Sequence, residues 1–365
     1  MLNYIPQDKT LVTSNWTHGA PKAYFTDIID FLENNKVETF IYNALPELDF
    51  SDFLPPDYNY SGFFELLNQV DEVCLRKNID SYLLIGTAQA QTEYNERVGF
   101  KKIKIYNFPL YWFWATQLLF QYYDKIETQD PSQCDKLFVC LNNKAKQFRY
   151  NLINELYVEN LLDNGYVSWK GNRDIVTRAP IQVHDWKIEE KKLSFDFKED
   201  VSSIEVPKEY FKAAIDLIPE TSIKYIFFTE KLVRALMYKK VFLVYGACNY
   251  HHTLEKYGFK MYRELIDYSF DKEPDDRKRA KMLIEQIKKI DNLEYSEIYN
   301  ICKSNIEHNF FTLININNVN NNEHYNEEIY PIRETVRNTY RYISFLHGEM
   351  FGKKDMFEQI QNSIK

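Results

Sequence analysis

The sequence predicts an α/β fold with two successive β-α-β series. Short apolar runs of strand length recur along the chain, and amphipathic helical segments separate them. A polar stretch with Pro131, residues 123–135, divides the two series. Strands joined through helices pair in parallel, so two mainly parallel sheets in Rossmann-like domains are expected.

The first series begins with a strand at residues 38–42, ETFIY. Further strands are predicted at 81–87 and 103–106, with an amphipathic helix at 62–77. The intervening segment 44–60 is rich in Pro and Asp, which predicts a surface loop. That loop holds a substrate or is a plain connection.

The second series begins with the strand 136–141, KLFVCL, and continues through a polar loop into an amphipathic helix. Basic residues gather at the start of this helix: Lys144, Lys146 and Arg149. A strand, a short loop and a basic helix N-terminus form a phosphate-binding arrangement. A solvated positive turn is an equal alternative.

The segment from Phe227 to Gly246 reads FFTEKLVRALMYKKVFLVYG. Thr229 is expected to cap a helix that starts with Glu230 and Lys231, and Arg234 follows Glu230 by four residues on the same face. The apolar run 241–245 predicts a buried parallel strand whose carboxyl end opens into a binding crevice. A strand is also expected at 225–228.

The remaining segments are less distinctive. Residues 206–217 suit an amphipathic strand or helix, 263–276 an acidic loop and 277–293 a long surface helix. Residues 315–326 are rich in Asn and predict a solvent loop, and 334–345 predict a further helix.

Composition restricts the classes of protein that are compatible with the chain. The 365 residues carry a net charge of -8, which disfavours binding to duplex nucleic acid without excluding a local basic cleft. The five cysteines are scattered, so neither a disulfide framework nor a zinc site is indicated. The N-terminus lacks the pattern of a secretory signal, and the apolar run 108–120 is too short to span a membrane, so a cytoplasmic location is expected.

Two blocks, KLFVCLNNKAKQFRYNLINEL and IPETSIKYIFFTEKLVRALMYKKVFLVYG, resemble the alpha-1,3-fucosyltransferases and their viral and bacterial relatives. The resemblance implies the GT-B fold, in which two Rossmann-like domains face each other across a cleft. It implies that Arg149, Glu230 and Lys231 hold the phosphates and ribose of a sugar nucleotide. Glu220 matches an acidic position upstream, which implies a place near the donor sugar or ribose. The first domain shows no matching motif.

These expectations divide the chain into three parts. Residues 1–130 would form an acceptor domain, 131–310 a nucleotide-sugar domain, and 311–365 an Asn-rich loop with a helix that packs back on the body.

The residue types also fit glycosyl transfer on chemical grounds. A departing diphosphate needs fixed cations and helix N-termini, which Lys231, Arg149 and Arg234 can supply without a metal ion. The carboxylate of Glu230 suits paired ribose hydroxyls. The alternative is a structural cluster of charges at the start of a helix. The further candidates for binding the sugar nucleotide are Asn142, Lys144, Thr229 and Gly246.

An inverting transfer also needs a general base beside the acceptor hydroxyl. Glu93, Glu96 and His18 are candidates from the first domain, and a surface-loop role is the alternative for each. His251 and His252 follow Gly246 and suit a helix start or the surface better than a metal site.

The sequence therefore predicts a metal-independent, inverting glycosyltransferase with a nucleotide sugar as co-substrate and no other cofactor. The acceptor is a glycan, a protein or a hydroxylated DNA base; the oligomeric state stays open, and a viral origin would place the protein in the host cytoplasm. The alternative is a non-catalytic protein that binds nucleotide sugars or serves a structural role.

Overall fold

A computed structural model describes residues 2–6, 9–14, 22–43, 61–85, 99–107, 128–142, 145–169, 173 and 206–315. The chain divides into two compact units, which we call the N-terminal unit (Met1–Phe113) and the C-terminal unit (Trp114–Lys365). Each unit contains its own sheet, and both sheets are largely parallel. The predicted α/β class is confirmed, whereas the predicted domain boundaries stay predictions.

The N-terminal unit contains a five-stranded sheet. Its strands are β1 (Leu2–Ile5), β2 (Thr10–Ser14), β3 (Thr39–Asn43), β4 (Asp80–Ile85) and β5 (Ile103–Asn107). They lie side by side in chain order; β1 is antiparallel to β2, and the other neighbours are parallel. The predicted strands β3, β4 and β5 and their parallel pairing are confirmed.

Helix α1 (Lys22–Asn34) connects β2 to β3, and α2 (Ser61–Arg76) connects β3 to β4. The strand order never reverses here, so right-handed crossovers place both helices on the same face, where they contact each other. Between the sheet and these helices lies an apolar core that includes Ile28, Phe40 and Leu67.

The C-terminal unit contains a four-stranded parallel sheet in the order β7-β6-β8-β9. The strands are β6 (Lys136–Cys140), β7 (Gly165–Val167), β8 (Ala213–Pro219) and β9 (Val241–Tyr245). From β6 the chain moves outward to β7 and then returns to the other side of β6 with β8. The strand order therefore reverses between β6 and β8, and such a reversal opens a crevice at the carboxyl ends of the strands.

Five helices of this unit lie within the described residues. They are α3 (Gln147–Val158), α4 (Glu230–Met237), α5 (Tyr250–Lys256), α6 (Asp276–Ile290) and α7 (Tyr295–Asn315). Because the strand order reverses, the crossover helices α3 and α4 lie on opposite faces of the sheet. Helix α3 contacts α6, and α4 contacts α7. The sheet is therefore covered on both faces.

The strand predicted at 225–228 is wrong. These residues follow β8 without pairing to it, and their rings are buried instead. Phe228 packs edge-on against Tyr250 at 4.9 Å and Tyr257 at 5.6 Å between ring centroids. Aromatic packing, rather than a sheet ladder, fixes the segment, and the same apolar composition suits both.

Other predictions have mixed outcomes. Residues 206–217, for which a strand or a helix was expected, contain a 3-10 turn, Lys208–Lys212, followed by the beginning of β8. The long helix predicted at 277–293 is α6. The predicted segments that lie outside the described residues are 44–60, 108–120 and 334–345, together with 316–326 of the Asn-rich segment. In the part of the chain that the structure describes, no helix combines the length and apolar character needed to cross a membrane.

Candidate functional site

The carboxyl ends of β6 and β8 bring together residues from four separate segments. Asn142 follows β6, Glu220 follows β8, Arg149 lies in the first turn of α3, and Lys231 lies in the first turn of α4. We call this group the strand-end cluster. It lies where the strand order reverses, which is the usual ligand position in open parallel sheets.

Glu220 is the most enclosed member of the strand-end cluster, with 0% of its surface exposed. The hydroxyl of Thr229 lies 2.9 and 3.0 Å from the two carboxylate oxygens. The hydroxyl of Tyr250 donates to Oε1 at 3.0 Å, and the backbone N–H of Thr221 donates to Oε2 at 2.6 Å. Glu220, which the resemblance implies lies near the donor sugar or ribose, is therefore buried, and protein groups form hydrogen bonds to its carboxylate.

Thr229 is the N-cap of α4, as predicted. Its hydroxyl oxygen accepts a hydrogen bond from the backbone N–H of Lys231 at 3.4 Å while the same hydroxyl donates to Glu220. Only 2% of Thr229 is exposed. Thr229 therefore joins the start of α4 to the buried carboxylate.

Lys231 extends along the end of β8. Its Nζ atom lies 3.2 Å from the carbonyl oxygen of Pro219, 3.2 Å from Oγ1 of Thr221 and 3.8 Å from Oε2 of Glu220. Burial and then the charge of Arg149 lower the pKa of Lys231, whereas Glu220 raises it, and the result is about 8. The surroundings of Lys231 therefore disfavour the protonated form of its amine.

Arg149 reaches the same loop from the other face of the sheet. Its Nε and Nη2 atoms donate to the carbonyl oxygen of Glu220 at 3.1 and 2.9 Å. The Nζ atom of Lys146, one residue before α3, donates to the carbonyl of Thr221 at 2.5 Å. Lys146 and Arg149 are each buried, with 5% of the residue surface exposed. Lys146 and Arg149, at the start of α3, therefore contact the same loop as Lys231 of α4.

Glu230 occupies the first position of α4 and is partly exposed. Burial raises the pKa of this carboxyl group, and the charge of Lys231 opposes that effect. Within the described residues, Glu230 forms no ion pair. Glu220 is therefore fully enclosed, whereas Glu230 is partly exposed as a residue.

Arg234 lies deeper than the other predicted residues. Its guanidinium is 5.5 Å from the ring centroid of Tyr210, whose hydroxyl donates to Asp216 at 2.7 Å. Burial raises the pKa of Asp216, and the charge of Arg234 lowers it. Asp216 is at the middle of β8, whereas Lys231 contacts its end. The charge of Arg234 therefore acts on the buried Asp216 as well as on Lys231.

Gly246 allows the chain to approach the strand-end cluster closely. A Cβ atom at this position would lie 3.0 Å from Cδ2 of Tyr250 and 3.4 Å from Cβ of Glu220. The carbonyl of Gly246 accepts from Nε of the buried Arg279 at 3.0 Å. The predicted strand-end glycine thus lets Tyr250 reach Glu220.

Asn142 is buried, with 1% of its surface exposed. Its backbone N–H donates to Oγ of Ser168 at 2.9 Å, which ties the end of β6 to the end of β7. Its side-chain Nδ2 atom lies 3.3 Å from the sulfur of Cys140. Within the described residues, Oδ1 of Asn142 has no hydrogen-bond partner.

The two histidines after Gly246 have different environments. Nδ1 of His251 lies 2.8 Å from Oδ1 of Asp271, and Nε2 accepts from the backbone N–H of Val244 at 3.2 Å. His251 is buried at the start of α5, whereas the side chain of His252 is 53% exposed. The predicted helix-start role fits His251 and the surface role fits His252.

Four candidate residues, Lys144, His18, Glu93 and Glu96, lie outside the described residues. Sequence reasoning missed Tyr250, Thr221 and Ser168. Tyr250 could have been found from its position just after the strand-end glycine, at the start of the next helix. Thr221 could have been found because it directly follows Glu220. Ser168 contacts the cluster only through Asn142, which is 26 residues away in the sequence, and no local pattern predicts that contact.

Among the described residues, no group of His, Cys, Asp and Glu side chains is arranged to hold a metal ion. Comparison with known proteins found no matching family model, no matching curated protein and no matching solved structure.

Proposed function

We propose that the protein is a glycosyltransferase of the GT-B type, and that the strand-end cluster binds the diphosphate of a nucleotide sugar. One observation carries the proposal. Arg149 and Lys231 both contact the loop that follows β8 at the strand-order reversal, and burial and then the charge of Arg149 lower the pKa of Lys231. An anion bound near both cations would relieve their repulsion, and groups with strongly shifted pKa values in a crevice are candidates for a functional site.

The surroundings favour a phosphate-bearing anion. Helices α3 and α4 both begin at the carboxyl edge of the sheet, so their N-termini add partial positive charge there. The ammonium of Lys146, the N-cap residue of α3, contacts the carbonyl of Thr221 and adds a further positive charge on the same loop. Fixed cations and helix N-termini can stabilise the charge that develops on a departing diphosphate.

Glu230, which is partly exposed as a residue, favours a nucleotide over a free phosphate because of its carboxylate. Glu230 lies beside Lys231 in the first turn of α4. A nucleotide whose phosphates contact Lys231 would therefore bring its ribose close to Glu230. Acidic residues bind paired ribose hydroxyls in other nucleotide-binding α/β folds. The resemblance of the two sequence blocks to the fucosyltransferases supports the same assignment.

In the proposed reaction, an acceptor hydroxyl oxygen attacks the anomeric carbon of the sugar and inverts it. The bond from that carbon to the phosphate oxygen breaks, and the electron pair leaves with the diphosphate near Arg149 and Lys231. A general base takes the hydroxyl proton; Glu93, Glu96 and His18 are the candidates. The proposed acceptors are a glycan, a protein or a hydroxylated DNA base.

Calorimetric titration with nucleoside diphosphates, supported by a thermal-shift panel of nucleotide sugars, tests the proposal. The wild type is expected to bind at least one of them, and Lys231→Met or Arg149→Met should weaken binding by roughly tenfold or more. Lys239→Met is the matched control: this lysine lies just after the same helix, is 20% exposed and pairs with Glu307, not with the strand-end cluster. Its binding should equal that of the wild type.

Each other outcome has a definite meaning. If no nucleotide or nucleotide sugar binds the wild type, the proposed function is wrong. If Lys239→Met weakens binding as much as Lys231→Met, the ligand does not bind at the strand-end cluster. Binding without turnover on glycan, protein or DNA acceptors would instead support the non-catalytic alternative.

A further inference from the structure

We propose that Glu220 is a positioning residue that never contacts the ligand and instead keeps Lys231 and the first turn of α4 ready to receive an anion. The inference rests on the proposed function and deepens it. In this role, the carboxylate of Glu220 interacts with the anion-binding Lys231 and not with the sugar or the ribose of the ligand.

The burial of Glu220 excludes direct contact in this arrangement. None of its surface is exposed, and both carboxylate oxygens accept hydrogen bonds from protein groups. The Thr229 backbone N–H adds a donor at 3.3 Å, besides the hydroxyls of Thr229 and Tyr250. A ligand hydroxyl would have to displace these groups, at the cost of leaving buried donors unsatisfied.

The same contacts connect Glu220 to the anion-binding side of the site. Through Thr229 the carboxylate fixes the N-cap of α4, and the capping hydroxyl in turn accepts from the backbone N–H of Lys231. Across 3.8 Å the carboxylate also forms an ion pair with the Lys231 ammonium. Glu220 thus fixes both the backbone and the charged tip of one residue.

Opposing charges from several elements act on Lys231. Arg149 from α3 and Arg234 from α4 disfavour its protonated form, whereas Glu220 after β8 and Glu230 from α4 favour it. Three further groups lie close by: Lys146 on the carbonyl of Thr221, the Cys140 thiol of β6 and the Asp216 carboxyl of β8. Within this set, Glu220 is the carboxylate that pairs with Lys231, so it keeps the lysine protonated near neutral pH.

Lysine labelling in the ligand-free protein tests this role directly. The rate at which an acylating reagent modifies Lys231 is followed against pH by mass spectrometry, because only the neutral amine reacts. The wild-type midpoint is expected near the lowered pKa of about 8. Glu220→Gln removes the negative charge and is expected to lower the midpoint by roughly one pH unit or more.

Tyr250→Phe is the matched control. It removes one hydrogen bond from the same carboxylate but leaves the charge in place, so the midpoint should stay near its wild-type value. A merely structural role for Glu220 would make the two variants alike. Equal shifts in both variants, or no shift in Glu220→Gln, would overturn the proposal.

Nucleoside diphosphate binding supplies the second measurement. For a midpoint lowered by one unit, Glu220→Gln should bind about threefold more weakly at pH 7.5 and about eightfold more weakly at pH 8.5, because less Lys231 is protonated. A loss that is the same at both pH values would overturn the proposal.

Failure of the proposed function and failure of this inference can be told apart. Labelling needs no ligand, so a wild type that binds no nucleotide removes the function while the labelling midpoints still report on Glu220. If Glu220→Gln does not fold, Glu220→Asp replaces it, because aspartate keeps the charge but withdraws it by one methylene. A smaller downward shift in Glu220→Asp supports the inference, and a wild-type midpoint at the ordinary value of 10.5 refutes it.

Discussion

Replacing Lys231 by methionine is expected to stabilise the folded protein at neutral pH while it removes anion binding. Burial and the charge of Arg149 lower the pKa of Lys231 from its ordinary 10.5 to about 8, and its side chain is 15% exposed. One unit of pKa corresponds to about 1.4 kcal/mol, so the protonated lysine costs the folded state about 3 kcal/mol at pH 7.

Part of this gain is offset. Methionine cannot donate to the Pro219 carbonyl or to Oγ1 of Thr221, and each lost hydrogen bond costs about 1 kcal/mol. The net expectation is a rise of about 1 kcal/mol in the free energy of unfolding at pH 7. Methionine is close to lysine in length and apolar, so it should fill the same volume without a cavity.

The sign of the pH dependence makes the prediction specific. Because the folded-state pKa is below the unfolded value, the unfolded chain binds more protons between pH 8 and 10.5, and wild-type stability gains from this group as the pH rises through that window. The advantage of Lys231→Met is therefore largest below pH 8 and reaches zero at about pH 9, where the falling cost of the buried charge equals the cost of the lost hydrogen bonds. At about pH 10 the variant should be less stable than the wild type by about 1 kcal/mol. Urea unfolding of both proteins at pH 7, 8.5 and 10 measures it.

Two results would refute this reasoning. A stability difference that does not change with pH would show that the lysine titrates normally. A variant that is less stable than the wild type at pH 7 by more than about 1 kcal/mol would show that the hydrogen bonds and the ion pair of Lys231 outweigh the cost of its burial.

Three further predictions follow from contacts in the C-terminal unit. Gly246→Ala should lower the free energy of unfolding by about 1–2 kcal/mol, measured in urea, because its Cβ would lie 3.0 Å from the Tyr250 ring. Arg149→Met should move the labelling midpoint of Lys231 above pH 8, since the arginine charge lowers that pKa. Asp271→Asn should cost about 1–2 kcal/mol at pH 7, because its carboxylate accepts two backbone N–H groups in the first turn of α5. Burial raises the pKa of Asp271 but its hydrogen bonds outweigh that effect and lower it, so urea curves should show the cost disappearing as the pH falls through the lowered value.

Much of the architecture was predictable from local patterns. The strand at Val241–Tyr245 has the predicted bounds, and β6 and α6 lie within a few residues of theirs. The apolar residues of each element, together with the polar residues that flank them, predict it directly. The first strand pair, β1 and β2, went unpredicted because both segments are short and carry no distinctive alternation. The error at 225–228 arose because apolar composition does not distinguish a paired strand from buried extended chain.

The candidate site was likewise predictable only in part. The sequence by itself determined the α/β class, the cap at Thr229 and the presence of Lys231 at a helix N-terminus, because spacing along one segment decides each of them. Only the tertiary structure decided that Arg149 and Lys231 contact the same loop, since their positions depend on the reversal of strand order between β6 and β8. It also decided that Glu220 is fully buried and that Glu230 is partly exposed. Burial depends on which segments cover a side chain, and segments far apart in the sequence supply that cover.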